Sequence, residues 1–187
     1  MMRRGCWLLV GVLWAGPLAG QTVMRPDPPL DPARAALRDA LLVLRDSLNT
    51  IDGAAARLQR DFRQASAASL VSRARVMHEA CARSIRTVPP TRKAVLSAPI
   101  TVSHQNKERT NLISAMNHLN SALGRCESEF ANMGRPGQGE TVRGYANDRA
   151  VKVQAELRSY ENVLRGFLGS VGIKFPPLGV SAGTSTG

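Results

Sequence analysis

The feature that most constrains this chain is a heptad pattern of apolar residues that begins soon after residue 30. From Leu37 to Phe62, apolar residues recur at alternating steps of four and three without interruption. Such spacing places one apolar stripe along an α-helix that packs against other helices. The members of this first stripe are Leu37, Leu41, Leu44, Leu48, Ile51, Ala55, Leu58 and Phe62.

The same pattern returns in later segments. After Phe62 the next strong position is Leu70, and this gap predicts a break or a stutter near residues 64–69. Residues 31–86 are therefore expected to form one long helix or two helices end to end. The later stripes are Leu70, Ala74, Met77 and Cys81; Leu112, Met116, Leu119, Leu123, Cys126, Phe130 and Met133; and Ala146, Ala150, Val153, Leu157, Tyr160, Leu164, Phe167 and Val171.

Turn and capping residues divide the chain between these stripes. Asp31 followed by Pro32 predicts a helix start, because an aspartate caps free amides and proline suits the first helical position. Prolines within residues 87–102 predict the main linker, and the glycines and proline of residues 134–139 predict a second turn. The predicted caps of the two helices that follow are Ser103 and Thr141.

These observations predict an all-α fold, because no segment shows the alternation of a strand. We expect three or four long amphipathic helices in an elongated helical bundle, with a disordered N-terminal arm and C-terminal tail. The predicted organisation is a signal peptide at residues 1–20, a proline-rich arm at 21–30, the bundle at 31–169 and a flexible tail at 170–187.

The N-terminal segment has the layout of a secretory signal peptide. A basic start at residues 1–4 precedes an apolar run at residues 5–19, and small residues then precede Gln21. The run is shorter than the roughly 20 residues that span a bilayer. We therefore expect an exported protein, periplasmic or extracellular, whose mature chain has no transmembrane segment.

Two cysteines remain after the predicted cleavage, Cys81 and Cys126, and each belongs to an apolar stripe. In an oxidising compartment such a pair favours a disulfide. A hairpin through the predicted linker would instead place Cys81 opposite residues near Arg109. The bond therefore requires α-helices that slide along each other or a crossover connection. The alternative is two buried free thiols in an ordinary up-down bundle.

The chain carries no motif of catalysis or covalent cofactor attachment. It lacks C-x-x-C-H, repeated Glu-x-x-His pairs, the nucleophile elbow and a phosphate loop. Non-covalent haem would need ligands such as Met77, Met116, His78 or His118, but methionines in a stripe are typical core residues. His78 and Cys81 lack the further ligands of a structural zinc site. The sequence therefore predicts no enzyme, no cofactor and no metal.

Arginine is unusually abundant in this chain. Without residues 1–20 the chain holds 19 arginines and four lysines against 14 acidic residues, a net charge of +9. Arginine suits bidentate contacts with phosphate and carboxylate groups, so residues 57–93 predict an anion-binding face. The alternative is an ordinary solvated helix surface. The candidate residues are Arg57, Arg60, Arg63, Arg73, Arg75, Arg83, Arg86, Arg92 and Lys93.

The leading hypothesis is an exported, non-enzymatic helical bundle that binds an anionic envelope component or an acidic protein. The few aromatic residues do not favour nucleic acid, where bases stack on aromatic rings. One alternative is self-association, since heptad stripes also pair between chains to form homo-oligomers. Others are a secreted ligand of the cytokine type, which rests on architecture alone, and a haem- or metal-binding bundle.

Overall fold

Four long helices make up the structure. The computed structural model describes residues 30–175, except for the Asp61 side chain. The helices are α1 (Pro32–Asp61), α2 (Ala67–Ser97), α3 (Ser103–Met133) and α4 (Gly139–Val171), and no strand occurs in that range. The all-α prediction is thus confirmed. The predicted signal peptide, residues 21–29 of the arm and residues 176–187 of the tail lie outside the described part of the chain.

The helices run up, down, up and down. Short turns join helices that pack side by side, and α4 closes the bundle against α1 and also contacts α2. Every residue of the four stripes is buried apart from Phe62, which is half-buried. Because the stripes face one another within one chain, a homo-oligomer of the folded bundle would have to use other residues.

Residues 31–86 contain a break, as the eight-residue gap predicts, but the helices fold back on each other. α1 ends at Asp61 and α2 begins at Ala67. The Ser66 side chain caps α2 by accepting a hydrogen bond from the Ser69 amide at 3.2 Å. The expectation of helices end to end is therefore wrong, because the turn at residues 62–66 lets the two stripes meet in a hairpin.

The prediction of a linker at residues 87–102 is also wrong, because α2 continues through Pro89 and Pro90 to Ser97. Both prolines are exposed, so water can solvate the carbonyls that lose their amide donors. The next turn of the helix is held by Thr91, whose hydroxyl donates to the carbonyl of Thr87 at 2.8 Å. The actual turn is residues 98–102, and Ala98 is extended as expected before a proline.

Only some of the helix ends and caps that the sequence predicts are found in the structure. Asp31 does cap α1, accepting from the Arg34 amide at 2.9 Å. The caps of α3 and α4 are instead Val102 and Gln138, neither of which makes a side-chain capping bond. The bundle also continues beyond residue 169, because α4 runs to Val171 and the following Ile173 is buried.

A disulfide joins Cys81 on α2 to Cys126 on α3, with their Cα atoms 6.1 Å apart. No crossover is needed for this pairing. Because α2 is longer than the sequence predicts, the turn comes later and an antiparallel hairpin brings the two cysteines level. One turn of α2 earlier, His78 Nδ1 lies 3.1 Å from the Glu127 carbonyl oxygen, which fits the same register.

The contact between α1 and α4 contains buried polar groups. Gln154 donates to Asp52 at 2.8 Å and accepts from Gln59 at 2.6 Å. Two helical turns away, Arg45 and Glu161 lie at equivalent positions and are only 3% and 5% exposed. Within residues 30–175, Arg45 Nε and Nη2 and Glu161 Oε2 have no hydrogen-bond partner. This side of the core is therefore more polar than the α2–α3 side.

The disulfide is expected to contribute strongly to stability. It closes a loop with a sequence separation of 45 residues, and such a loop is worth about 4 kcal/mol in the chain-entropy model. Replacing both Cys81 and Cys126 by alanine should lower the free energy of unfolding in urea by about that amount. Reductant should destabilise the native protein and leave the double variant unchanged. Equal unfolding midpoints for the native protein with and without reductant would contradict the prediction.

Two glycines of α4 offer a matched test of the packing. A Cβ atom at Gly139 would overlap Ala67 of α2, whereas a Cβ at Gly144 would meet nothing within 4 Å. Gly139→Ala should therefore lower the free energy of unfolding by about 1–3 kcal/mol, the usual cost of overpacking. Gly144→Ala should raise it by up to about 1 kcal/mol, because alanine is the better helix former. Thermal unfolding of both variants distinguishes them, and a neutral Gly139→Ala would show that the contact is loose.

Candidate anion-binding face

The positive charge of the bundle is concentrated on one helix. α2 contains six basic residues and one acidic residue. By comparison, α1 has five basic and four acidic residues, α3 has three of each, and α4 has five and four. The excess of arginine in the sequence therefore becomes a local property of α2 rather than a uniform coating of the molecule.

The nine candidate residues fall into two groups in the structure. The first, which we call the turn group, lies near the α1–α2 turn. The second, which we call the α2 stripe, lies farther along α2. The turn group is Arg57, Arg60, Arg63, Arg73 and Arg75, and the α2 stripe is Arg83, Arg86, Arg92 and Lys93.

Part of the turn group is engaged within the molecule. Arg73 Nη1 donates to the Arg57 carbonyl at 3.1 Å, which joins α2 to α1. Arg75 Nε donates to the Gly134 carbonyl at 2.7 Å, just beyond the end of α3. The guanidinium of Arg63 lies 5.5 Å from the centre of the Phe62 ring. These arginines support the turns, so their abundance alone does not indicate a binding site.

The α2 stripe has a different environment. All four of its side chains are exposed, and within the described part of the chain none of them forms an ion pair. Arg83, Arg86 and Lys93 are spaced by three and seven residues, so they lie on the same outward-facing side of α2. From Arg83 to Lys93 the stripe extends about 15 Å along the helix axis. The result is three solvent-facing cations, Arg83, Arg86 and Lys93, on one side of α2, with Arg92 exposed about 100° round the helix axis from Lys93.

Acidic residues near the stripe neutralise little of this charge. Glu79 precedes Arg83 by four residues, but the two form no ion pair. On α1, the hydrogen bond from Thr91 to the Ala40 carbonyl at 3.1 Å brings Asp39 level with Arg92. Asp39, however, already pairs with Arg38 at 3.0 Å. Neither carboxylate therefore pairs with a cation of the α2 stripe in the described residues.

Arginines that the sequence did not single out hold the remaining turns. Arg143 of α4 donates to the carbonyls of Phe62, Arg63 and Ala65 at 2.9–3.1 Å. Arg109 of α3 donates to the Ala98 carbonyl at 3.3 Å. The last carbonyls of a helix lack intrahelical donors, so an arginine nearby can satisfy them. The need for such donors at helix ends is a general one, but the sequence did not show which arginines would supply them.

The haem and metal hypotheses receive little support from the described residues. Met77 and Met116 are fully buried in the core, and His104 and His118 are exposed. Within residues 30–175, no three histidine, cysteine or acidic side chains are grouped so that they could hold a metal ion. The described helices also include none that is both long and apolar enough to cross a membrane.

Comparisons with known proteins give no family for this chain. No family model matches it, and neither a curated protein nor a solved structure shows significant similarity to it. Function must therefore be argued from the molecule itself.

The division between structural and solvent-facing arginines can be tested by stability. Arg143→Ala removes three hydrogen bonds to turn carbonyls, and Arg75→Ala removes one. We expect losses of about 1–3 kcal/mol for Arg143→Ala and about 1 kcal/mol for Arg75→Ala, because hydrogen bonds from charged donors are worth roughly that much. The control Arg60→Ala, at an exposed position, should change the free energy of unfolding by less than about 0.5 kcal/mol. Equal effects in urea unfolding would contradict this division.

Proposed function

We propose that this protein is an exported, non-enzymatic helical bundle that binds an anionic partner through the α2 stripe. The observation that carries the proposal is that α2, a helix with a large positive excess, has four exposed cations without ion pairs among the described residues, three of them on one side. The partner classes are an anionic envelope component, such as a lipid or polymer that carries phosphate, or an acidic protein.

The surroundings of the stripe favour recognition of an extended anionic surface. Arginine forks bind phosphate and carboxylate groups bidentately. The disulfide anchors α2 to α3 in the middle of the bundle, so the backbone that carries the stripe is held in place before binding. Such preorganisation reduces the entropy that association must overcome. The net positive charge of the chain would also attract an anionic partner from a distance.

The alternative functions have weaker support. A secreted ligand of the cytokine type commonly uses up-up-down-down helices with long crossover connections, whereas these four helices are joined by short turns. Self-association would rely on exposed apolar residues that are scattered over several helices, such as Val43, Val76 and Leu96. Neither alternative explains why the charge is concentrated on α2.

The decisive variant replaces Arg83, Arg86, Arg92 and Lys93 by glutamine. Its matched control replaces Lys107, Arg125, Lys152 and Arg158 of α3 and α4, which are also exposed, and lowers the net charge equally. Basic residues near an anionic membrane contribute about 1 kcal/mol each. We therefore expect the α2 variant to bind phosphatidylglycerol-containing vesicles at least tenfold more weakly in a sedimentation assay, and the control to bind within about threefold of the native protein.

Salt and a second probe complete the experiment. Binding of the native protein should weaken as sodium chloride is raised, because exposed charges are screened. Polyglutamate serves as the probe for an acidic protein, and preference for it over the vesicles would assign that partner class. Equal losses in the two glutamine variants would show that only net charge matters and would overturn the assignment to α2. Absence of binding to both probes would overturn the proposed function.

A further inference from the structure

A groove of about 440 Å³ runs between α3 and α4, and its chemistry is opposite to that of the α2 stripe. Its lining includes two glutamates, two asparagines and two serines, and His118 is the one basic side chain among the lining residues. No residue of α2 lines it. The helix that carries most of the positive charge therefore does not contribute to this groove.

The two glutamates lie at opposite ends of the groove. Glu108 Oε2 is 3.4 Å from the position that a Cβ atom would take at Gly166, so this carboxylate is level with Gly166. Glu156 comes ten residues earlier on α4, which corresponds to about 15 Å along the axis. Within the described chain Glu108 has no ion pair, and Glu156 pairs with exposed Arg125 at 3.8 Å.

The groove between these carboxylates has an apolar floor. Ala115, Leu119 and Val163 line its middle. Tyr160 also lines it, is only 2% exposed, and has a hydroxyl without a hydrogen-bond partner in the described residues. Burial raises the pKa of Tyr160, and the neighbouring Glu161 carboxylate adds to the increase. The hydroxyl oxygen is fully buried, so a ligand in the groove would meet other parts of the Tyr160 side chain.

We propose that this groove binds a linear polyamine. Terminal ammonium groups would pair with the Glu108 and Glu156 carboxylates, and the methylene chain would lie on Ala115, Leu119 and Val163. Gly166 has no side chain, so the end of the groove at Glu108 stays open. This proposal is independent of the anionic partner of the α2 stripe.

The spacing of the carboxylates predicts a preference for length. Spermine can extend along the groove and reach both ends, whereas 1,4-diaminobutane can engage only one glutamate at a time. In calorimetric titrations at 0.15 M sodium chloride, the native full chain should bind spermine at one site and at least tenfold more tightly than 1,4-diaminobutane. Equal heats from spermine and from magnesium chloride at matched ionic strength would mean charge screening and would overturn the proposal.

Variants locate the site. Glu108→Gln and Glu156→Gln should each weaken spermine binding at least tenfold, since each removes one ammonium–carboxylate pair. The control Glu79→Gln removes an exposed, unpaired charge outside the groove and should change affinity less than twofold. If Glu79→Gln weakens binding as much as Glu108→Gln, spermine binds elsewhere. Circular dichroism should show that these three variants are folded.

Discussion

The register between α2 and α3 is the constraint on which the rest of the structure depends, and the Cys81–Cys126 bond holds it. Both cysteines belong to apolar stripes, so the bond aligns the two helices without interrupting the core. In this alignment the start of α2 extends past the end of α3 and reaches α4, where Ala67 meets Gly139. A covalent bond in the middle of one pair of helices thereby determines a close contact at the end of another.

The two sides of the core use different physical means. On the side of the disulfide, the buried side chains of α2 and α3 are mostly apolar, Met77 and Met116 among them. Between α1 and α4, Arg45 and Glu161 are buried, and the Phe175 ring lies 5.5 Å from the Arg45 guanidinium. Burying a charge costs more than an imperfect pairing returns. This polar seam therefore contributes less to stability than apolar side chains of similar size would.

Apolar periodicity predicted the core well, because a residue's position on a helix depends only on spacing along the chain. The same holds for Asp31, whose capping bond spans three residues. Prediction failed where the outcome depends on tertiary contacts. Pro89 and Pro90 can remain helical because they face water and because Thr91 reaches α1. The caps of α3 and α4 were also misplaced, since these helices begin after Val102 and Gln138, which form no side-chain capping bond.

The arginines show why the candidate site could be predicted only in part. Composition reveals the excess of arginine, but it does not distinguish an arginine that stabilises a turn from one that faces solvent. In the structure, Arg75 and Arg143 satisfy turn carbonyls, whereas Arg83 and Arg86 have no ion pair among the described residues. The difference arises from distance to a helix end across the bundle, which sequence spacing does not reveal. Once the turn arginines are set aside, α2 still carries four exposed cations without an ion pair among the described residues, on a helix that the disulfide fixes to α3.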